Sequence, residues 1–163
     1  MTSPPGRPVS RTAARRRAVE LVFESFQRGL DPLDMVRQRA ALRAGGVGGA
    51  SGETGEEAAE DLSDAVAVPP YTLQLVRGVA ERRPEISDWL DTYAQGWPQS
   101  RMPAVDRAIL YVGAYEVVFE DDVPDPVVLK AAADLAGRLS TEKSAGFVSG
   151  LLGRLSKIKA TLR

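Results

Sequence analysis

Five arginines stand between Arg7 and Arg17 with no acidic residue among them. A guanidinium is planar, permanently charged and forked, so it matches the geometry of phosphate oxygens. Arg11, Arg15 and Arg16 fall at the front of S-R-T-A-A-R-R-R-A-V-E-L-V-F-E-S-F-Q, residues 10 to 27, a segment with helical periodicity. A helix start already carries unpaired N–H groups and positive dipole charge, and it favours anions. Cations placed there oppose the dipole, a cost that a purely structural helix would avoid. The chemistry these residues point to is therefore binding of a polyanion. Spaced at 100° per residue, Ala18, Val19, Val22 and Phe26 share one face, with Arg16, Glu20, Glu24 and Gln27 opposite. Arg11 and Arg15 lie on the apolar side. That placement predicts a helix whose front projects past its bundle and presents both guanidinium groups to a partner. Arg16 and Arg17 are equally well explained as solubilising charge.

Catalysis has little to work with. The chain contains neither histidine nor cysteine. The usual neutral-pH base, the commonest metal ligand and any thiolate nucleophile are missing. Asp106 and Arg107 could form a catalytic pair in a cleft. Residues of these types at the start of an apolar helix more often make a cap and an internal ion pair, and Glu116 is then a partner for Arg107 or for a neighbouring helix. The glycine run after Arg43 lacks G-K-[ST], lacks a preceding strand and has acidic neighbours, so it reads as a linker and not a phosphate loop. The expectation is a non-enzyme with no metal and no cofactor. No apolar run reaches membrane-spanning length, and M-T-S-P-P-G-R-P lacks the apolar core of a signal peptide. A soluble, cytoplasmic protein is expected.

The formal net charge of −1 conceals segregation. Between Arg43 and Arg77 there is no basic residue, while Glu53, Glu56, Glu57, Glu60, Asp61 and Asp64 accumulate. After Glu142 every charge is positive: Lys143, Arg154, Lys157, Lys159 and Arg163. Basic ends and an acidic middle make the whole-chain charge a poor guide to what either surface binds.

These charges need elements to hold them. Residues 1–9, with three prolines, read as a disordered arm. A first helix runs from an N-cap at Ser10 to Arg28 and stops at Gly29. A second opens at Asp31-Pro32 and carries Leu33, Val36, Ala40 and, at its end, Leu42. Residues 44–67 form a flexible Gly-rich and acidic insertion. A third helix follows Pro69-Pro70 with Tyr71, Leu75, Val76 and Val79, and a fourth follows Arg83-Pro84 with Ile86, Trp89, Leu90 and Tyr93. From Val105 to Phe119 the charged residues are Asp106, Arg107 and Glu116, which marks a helix buried on most sides. Pro103 suits its N1 position. Asp125 is the expected N-cap of the next helix, with Val127, Val128, Ala131, Leu135 and Leu139. The last runs from about Ser144 through Phe147, Leu151, Leu155, Ile158 and Leu162, and its strip of Gly146, Gly150 and Gly153 invites close approach by a neighbouring helix. The fold class is all-α: about seven helices in two packed subdomains, 10–83 and 84–163.

Four motifs in order carry a resemblance. S-R-T-A-A-R-R-R-A-V-E-L-V-F-E resembles the opening helix of the NusB family, an R-x-x-A-R run leading into A-[LV]-x-x-[LF]-[YF]. M-P-A-V-D-R-A-I-L-Y-V-G-A-Y-E resembles the family's buried helix, and D-V-P-D-P-V-V-L and G-F-V-S-G-L-L its closing motifs. The likeness covers most of the chain outside residues 1–9 and 44–67. It implies a NusB-like fold of two helical subdomains. It also implies a transcription antitermination factor that binds single-stranded boxA RNA of ribosomal leader transcripts. The implied partners are the ribosomal protein NusE and the RNA polymerase antitermination complex. Its basic first helix is the part assigned to RNA, which gives the candidate contacts Arg7, Arg11, Arg15 and Arg16. Lys143, at a usually acidic position ahead of the last motif, adds to phosphate attraction.

The chain departs from the pattern where Lys130 and Ala131 replace an Asn-Glu pair, Gly137 a lysine and Ser149 an asparagine. Two other functions compete. The arginines could serve an acidic protein partner or a homodimer, or contact the chain's own 53–64 segment. The chain could also be a stand-alone RNA-recognition domain related to ribosomal RNA methyltransferases, although it has no glycine-rich cofactor motif. With about four phosphates neutralised, log affinity for RNA should fall with log salt at a slope near −3.

Overall fold

Local signals set most helix ends. The computed structural model describes residues 10–45 and 66–163, and these form seven α-helices: α1 (Arg11–Arg28), α2 (Pro32–Arg43), α3 (Pro70–Glu81), α4 (Arg83–Tyr93), α5 (Ala104–Phe119), α6 (Asp125–Leu139) and α7 (Glu142–Leu162). Ser10 caps α1 by accepting from the Ala13 amide at 3.2 Å, and Gly29 closes it in the left-handed region at φ 66°. Asp31 caps α2 by accepting from Leu33 and Asp34, with Pro32 at the first helical position; Leu42, expected on its apolar face, is instead 78% exposed, in the last turn of the helix. The arm at 1–9, Arg7 with it, lies outside the described residues, as does most of the 44–67 insertion. Val66, counted within that insertion, is buried in the core, as is Val68.

Three ends differ from expectation by a residue or two. Pro103 is the N-cap of α5 and not its first residue. Asp125 is the first residue of α6; its carboxylate turns from capping to α7, accepting from Ser156 and from Lys159 at 3.0 Å. The last helix starts at Glu142 because Thr141 caps it, accepting from the Ser144 amide at 3.1 Å.

α5 is the pillar. It is apolar nearly all round and packs against α1, α3, α4, α6 and α7, with every residue from Ala108 to Ala114 buried. One continuous apolar cluster joins α1 through α3 to α5, α6 and α7. Two glycines set how closely the helices cross. A Cβ on Gly78 of α3 would meet the Tyr115 ring at 2.1 Å, and one on Gly113 of α5 would meet Leu152 at 2.7 Å. The glycine strip of α7 behaves otherwise: Gly153 faces Leu129 at 3.5 Å, but Gly146 and Gly150 face nothing within 4 Å. No helix among the described residues is long and apolar enough to cross a membrane.

Candidate nucleic-acid interface

The two arginines on the apolar side of α1 meet different fates. Arg15 is 5% exposed. Its Nε donates to Glu116 Oε1 at 2.8 Å and Oε2 at 2.9 Å, and its Nη2 lies 2.7 Å from Oε1 without hydrogen-bond geometry. Tyr71 of α3 donates its hydroxyl to the same carboxylate at 2.5 Å. The expectation that Arg15 projects beyond the bundle is therefore corrected. The physical reason is a buried carboxylate in the central helix, which must be paired to be tolerated. Burial works against the Arg15 charge, but the bonds to Glu116 outweigh it and hold the guanidinium protonated. Burial, reinforced by the Glu116 carboxylate, raises the Tyr71 phenol above its ordinary range and keeps it a donor. Nearby, Thr72 of α3 donates to the Ala14 carbonyl at 2.8 Å, fixing the first turns of α1 against α3.

Arg11 lies at the surface. Its side chain is 47% exposed, donates to the exposed Asp122 carboxylate at 3.0 Å, and stacks 4.5 Å above the Tyr71 ring. That hydrogen bond raises its pKa further. Arg16 is exposed and shares Glu20 with Arg17, at 3.4 and 3.2 Å. Exposed pairs of this kind hold about 0–1 kcal/mol and exchange readily for a phosphate. Lys143, in the first turn of α7, is exposed with no ion-pair partner among the described residues. The front of α1 thus offers Arg11 and Arg16 as accessible cations, held in place by Arg15 beneath them.

The Asp106–Arg107 pair does not form. Asp106 is buried and accepts from Ser144 at 2.7 Å, tying α5 to the start of α7. Arg107 lays its guanidinium 4.7 Å over the Phe26 ring. Both residues join helices, and Glu116 belongs to the neighbouring helix's arginine. Sequence reasoning missed one surface, a groove of 240 Å³ between α1 and α6 lined by Thr12, Val127, Lys130, Ala131, Asp134 and Arg138. The exchange at Lys130 and Ala131 was its available signal.

A helical bundle whose basic helix front is built around a buried Arg–Glu pair defines an all-helical protein that presents cations at a helix start. The comparisons carry this to a family: the NusB family model matches residues 12–157, and the chain belongs to that family. It is 40% identical over 153 residues to the transcription antitermination protein NusB of Arthrobacter sp. (strain FB24), covering 94% of this chain and 97% of that one. Among solved structures it matches NusB of T. maritima with a TM-score of 0.63 and 26% identity, over 96% of this chain and 93% of that one. It also matches a chain in a crystal structure described as that of a plectonemic RNA supercoil, with a TM-score of 0.67 and 22% identity, over 93% and 96% of the two chains.

Proposed function

We propose that this antitermination factor binds single-stranded boxA-type RNA of ribosomal leader transcripts together with the ribosomal protein NusE, within the RNA polymerase antitermination complex. The observation that carries the reading is the Arg11 guanidinium, exposed on the first turn of α1 and engaged by an exchangeable surface carboxylate. Arg11, Arg16 and Lys143, with Arg7 of the arm, supply phosphate contacts. Arg15 acts as a positioning residue that anchors the α1 front through Glu116. Nothing in this set performs chemistry on the RNA; affinity comes from charge neutralisation and helix-end donors. Fluorescence anisotropy with a labelled boxA oligonucleotide, titrated with and without NusE, tests the reading. Tight, salt-sensitive binding that NusE strengthens is expected. Equal affinity for double-stranded DNA, or indifference to NusE, would remove it.

A further inference from the structure

The groove between α1 and α6 has a pattern that packing alone does not account for. Lys130, Asp134 and Arg138 recur at every fourth residue of α6, so they share one face. Each cation is an i,i+4 neighbour of Asp134, yet neither forms an ion pair with it or with any other carboxylate among the described residues. The floor is apolar: Val127 is 48% exposed, and Ala131 and Leu135 lie beside it. Arg15, charged and pinned to Glu116, backs the groove from below. Thr12 forms the α1 wall, next in sequence to Arg11, and Arg138, the groove's last cation on α6, precedes Lys143 of α7 by five residues in the chain.

Its size argues against a free small molecule. The volume of 240 Å³ is below the roughly 300–1,000 Å³ of pockets that enclose whole ligands. Lys130 and Arg138 stand eight residues apart on a helix, about 12 Å. Successive phosphates of a strand lie closer together than that, so the long Lys130 and Arg138 side chains would have to lean toward each other to flank one unit of a chain whose apolar face covers the floor. Asp134, midway, repels phosphate from the centre and accepts from N–H donors on a base edge. An acidic peptide would also match the two cations, but the groove's α1 wall adjoins Arg11, the exposed cation on which the RNA reading rests. A nucleotide uses the cations, the apolar floor and the central carboxylate.

We propose that this groove is an RNA subsite, holding one nucleotide of the strand that runs from Arg11 toward Lys143. Its phosphates lie at Lys130 and Arg138, and its base covers Val127, Ala131 and Leu135. The proposal rests on the RNA-binding reading above and extends it to residues on α6. In anisotropy titrations of the full chain with a labelled boxA oligonucleotide, Lys130→Ala with Arg138→Ala should weaken binding about tenfold. It should also flatten the log–log salt slope by about 1.4, or 0.7 for each lost phosphate contact. Ala131→Gln, a helix-compatible filler without charge, should weaken binding several-fold with the slope unchanged. A control pair on α7, Arg154→Ala with Lys157→Ala, should leave the slope as it is. An unchanged slope in the α6 double variant, while Arg11→Ala still flattens it, overturns the subsite and leaves the RNA reading standing. An equal drop in the control pair also overturns it, since it would report diffuse charge. Loss of NusE binding with RNA affinity intact would give the groove to the protein partner and overturn the proposal. If the unaltered chain binds no oligonucleotide, the parent reading falls and the subsite with it.

Discussion

Arg15 Nε bonds both oxygens of Glu116, at 2.8 and 2.9 Å, in a place where neither side chain meets solvent. The pair joins the basic helix front to the central helix, and Tyr71 closes it from α3. A buried pair adds little net stability over an apolar replacement, because desolvation offsets attraction. What it does supply is a fixed register of α1 on α5, which sets where Arg11 and Arg16 point.

Breaking one side of the pair is a different matter. Glu116→Ala leaves a buried guanidinium without its counter-charge, and we expect a loss of about 3–5 kcal/mol in unfolding free energy. Replacing both, Arg15→Met with Glu116→Leu, should recover most of that loss. Urea denaturation of the two variants gives the comparison; a double variant as unstable as Glu116→Ala would deny the pair its coupling.

Much of the architecture was legible because local rules acted alone. Ser10, Gly29 and Asp31 mark helix ends by their own hydrogen-bond and backbone chemistry, and the four-residue spacing of Leu151 and Leu155 marks the face that packs. The arginine site was misjudged because two oddities were weighed separately. An arginine on an apolar stripe and a glutamate in an apolar helix are each costly alone, and together they describe one buried pair. Their separation of 101 positions hides the pairing from any local window. The α1–α6 groove was hidden for a similar reason: Thr12 and Arg138 line one groove only because α1 and α6 both pack on α5.

Alkaline titration should separate the tyrosines. The chain has four, and burial, strengthened by a glutamate, raises Tyr71 and Tyr115 above their ordinary value of 10.0. The fold favours the protonated phenol, so this contribution to stability is complete below pH 10 and declines as pH climbs above it. Ultraviolet titration should show Tyr71 and Tyr115 ionising late, together with unfolding. Tyr71→Phe and Tyr115→Phe should lessen the alkaline decline. Four superimposed normal titrations would contradict it.

Glycine substitutions should split by location. Gly78→Ala drives a methyl into the Tyr115 ring and should cost about 1–3 kcal/mol through overpacking. Gly150→Ala meets open space on α7 and should stabilise by roughly 0.5–1 kcal/mol through helix propensity. Thermal melts decide this. A destabilising Gly150→Ala would mean that something outside the chain, such as a second copy, approaches that face.

Asp122 offers the most direct test of the proposal that the front of α1 faces RNA. Its carboxylate is 65% exposed and holds Arg11 at 3.0 Å, competing with any phosphate for the same fork. An exposed pair contributes little to folding, so Asp122→Asn should leave the melting temperature almost unchanged. The same substitution frees Arg11 and removes a negative charge from the path of the strand, so RNA affinity should rise a few-fold at low salt. The gain should vanish in the Arg11→Ala background, because without the guanidinium the carboxylate has nothing to withhold. A rise that persists without Arg11 would reduce Asp122 to a general electrostatic effect, and no rise at all would place the strand away from the front of the helix.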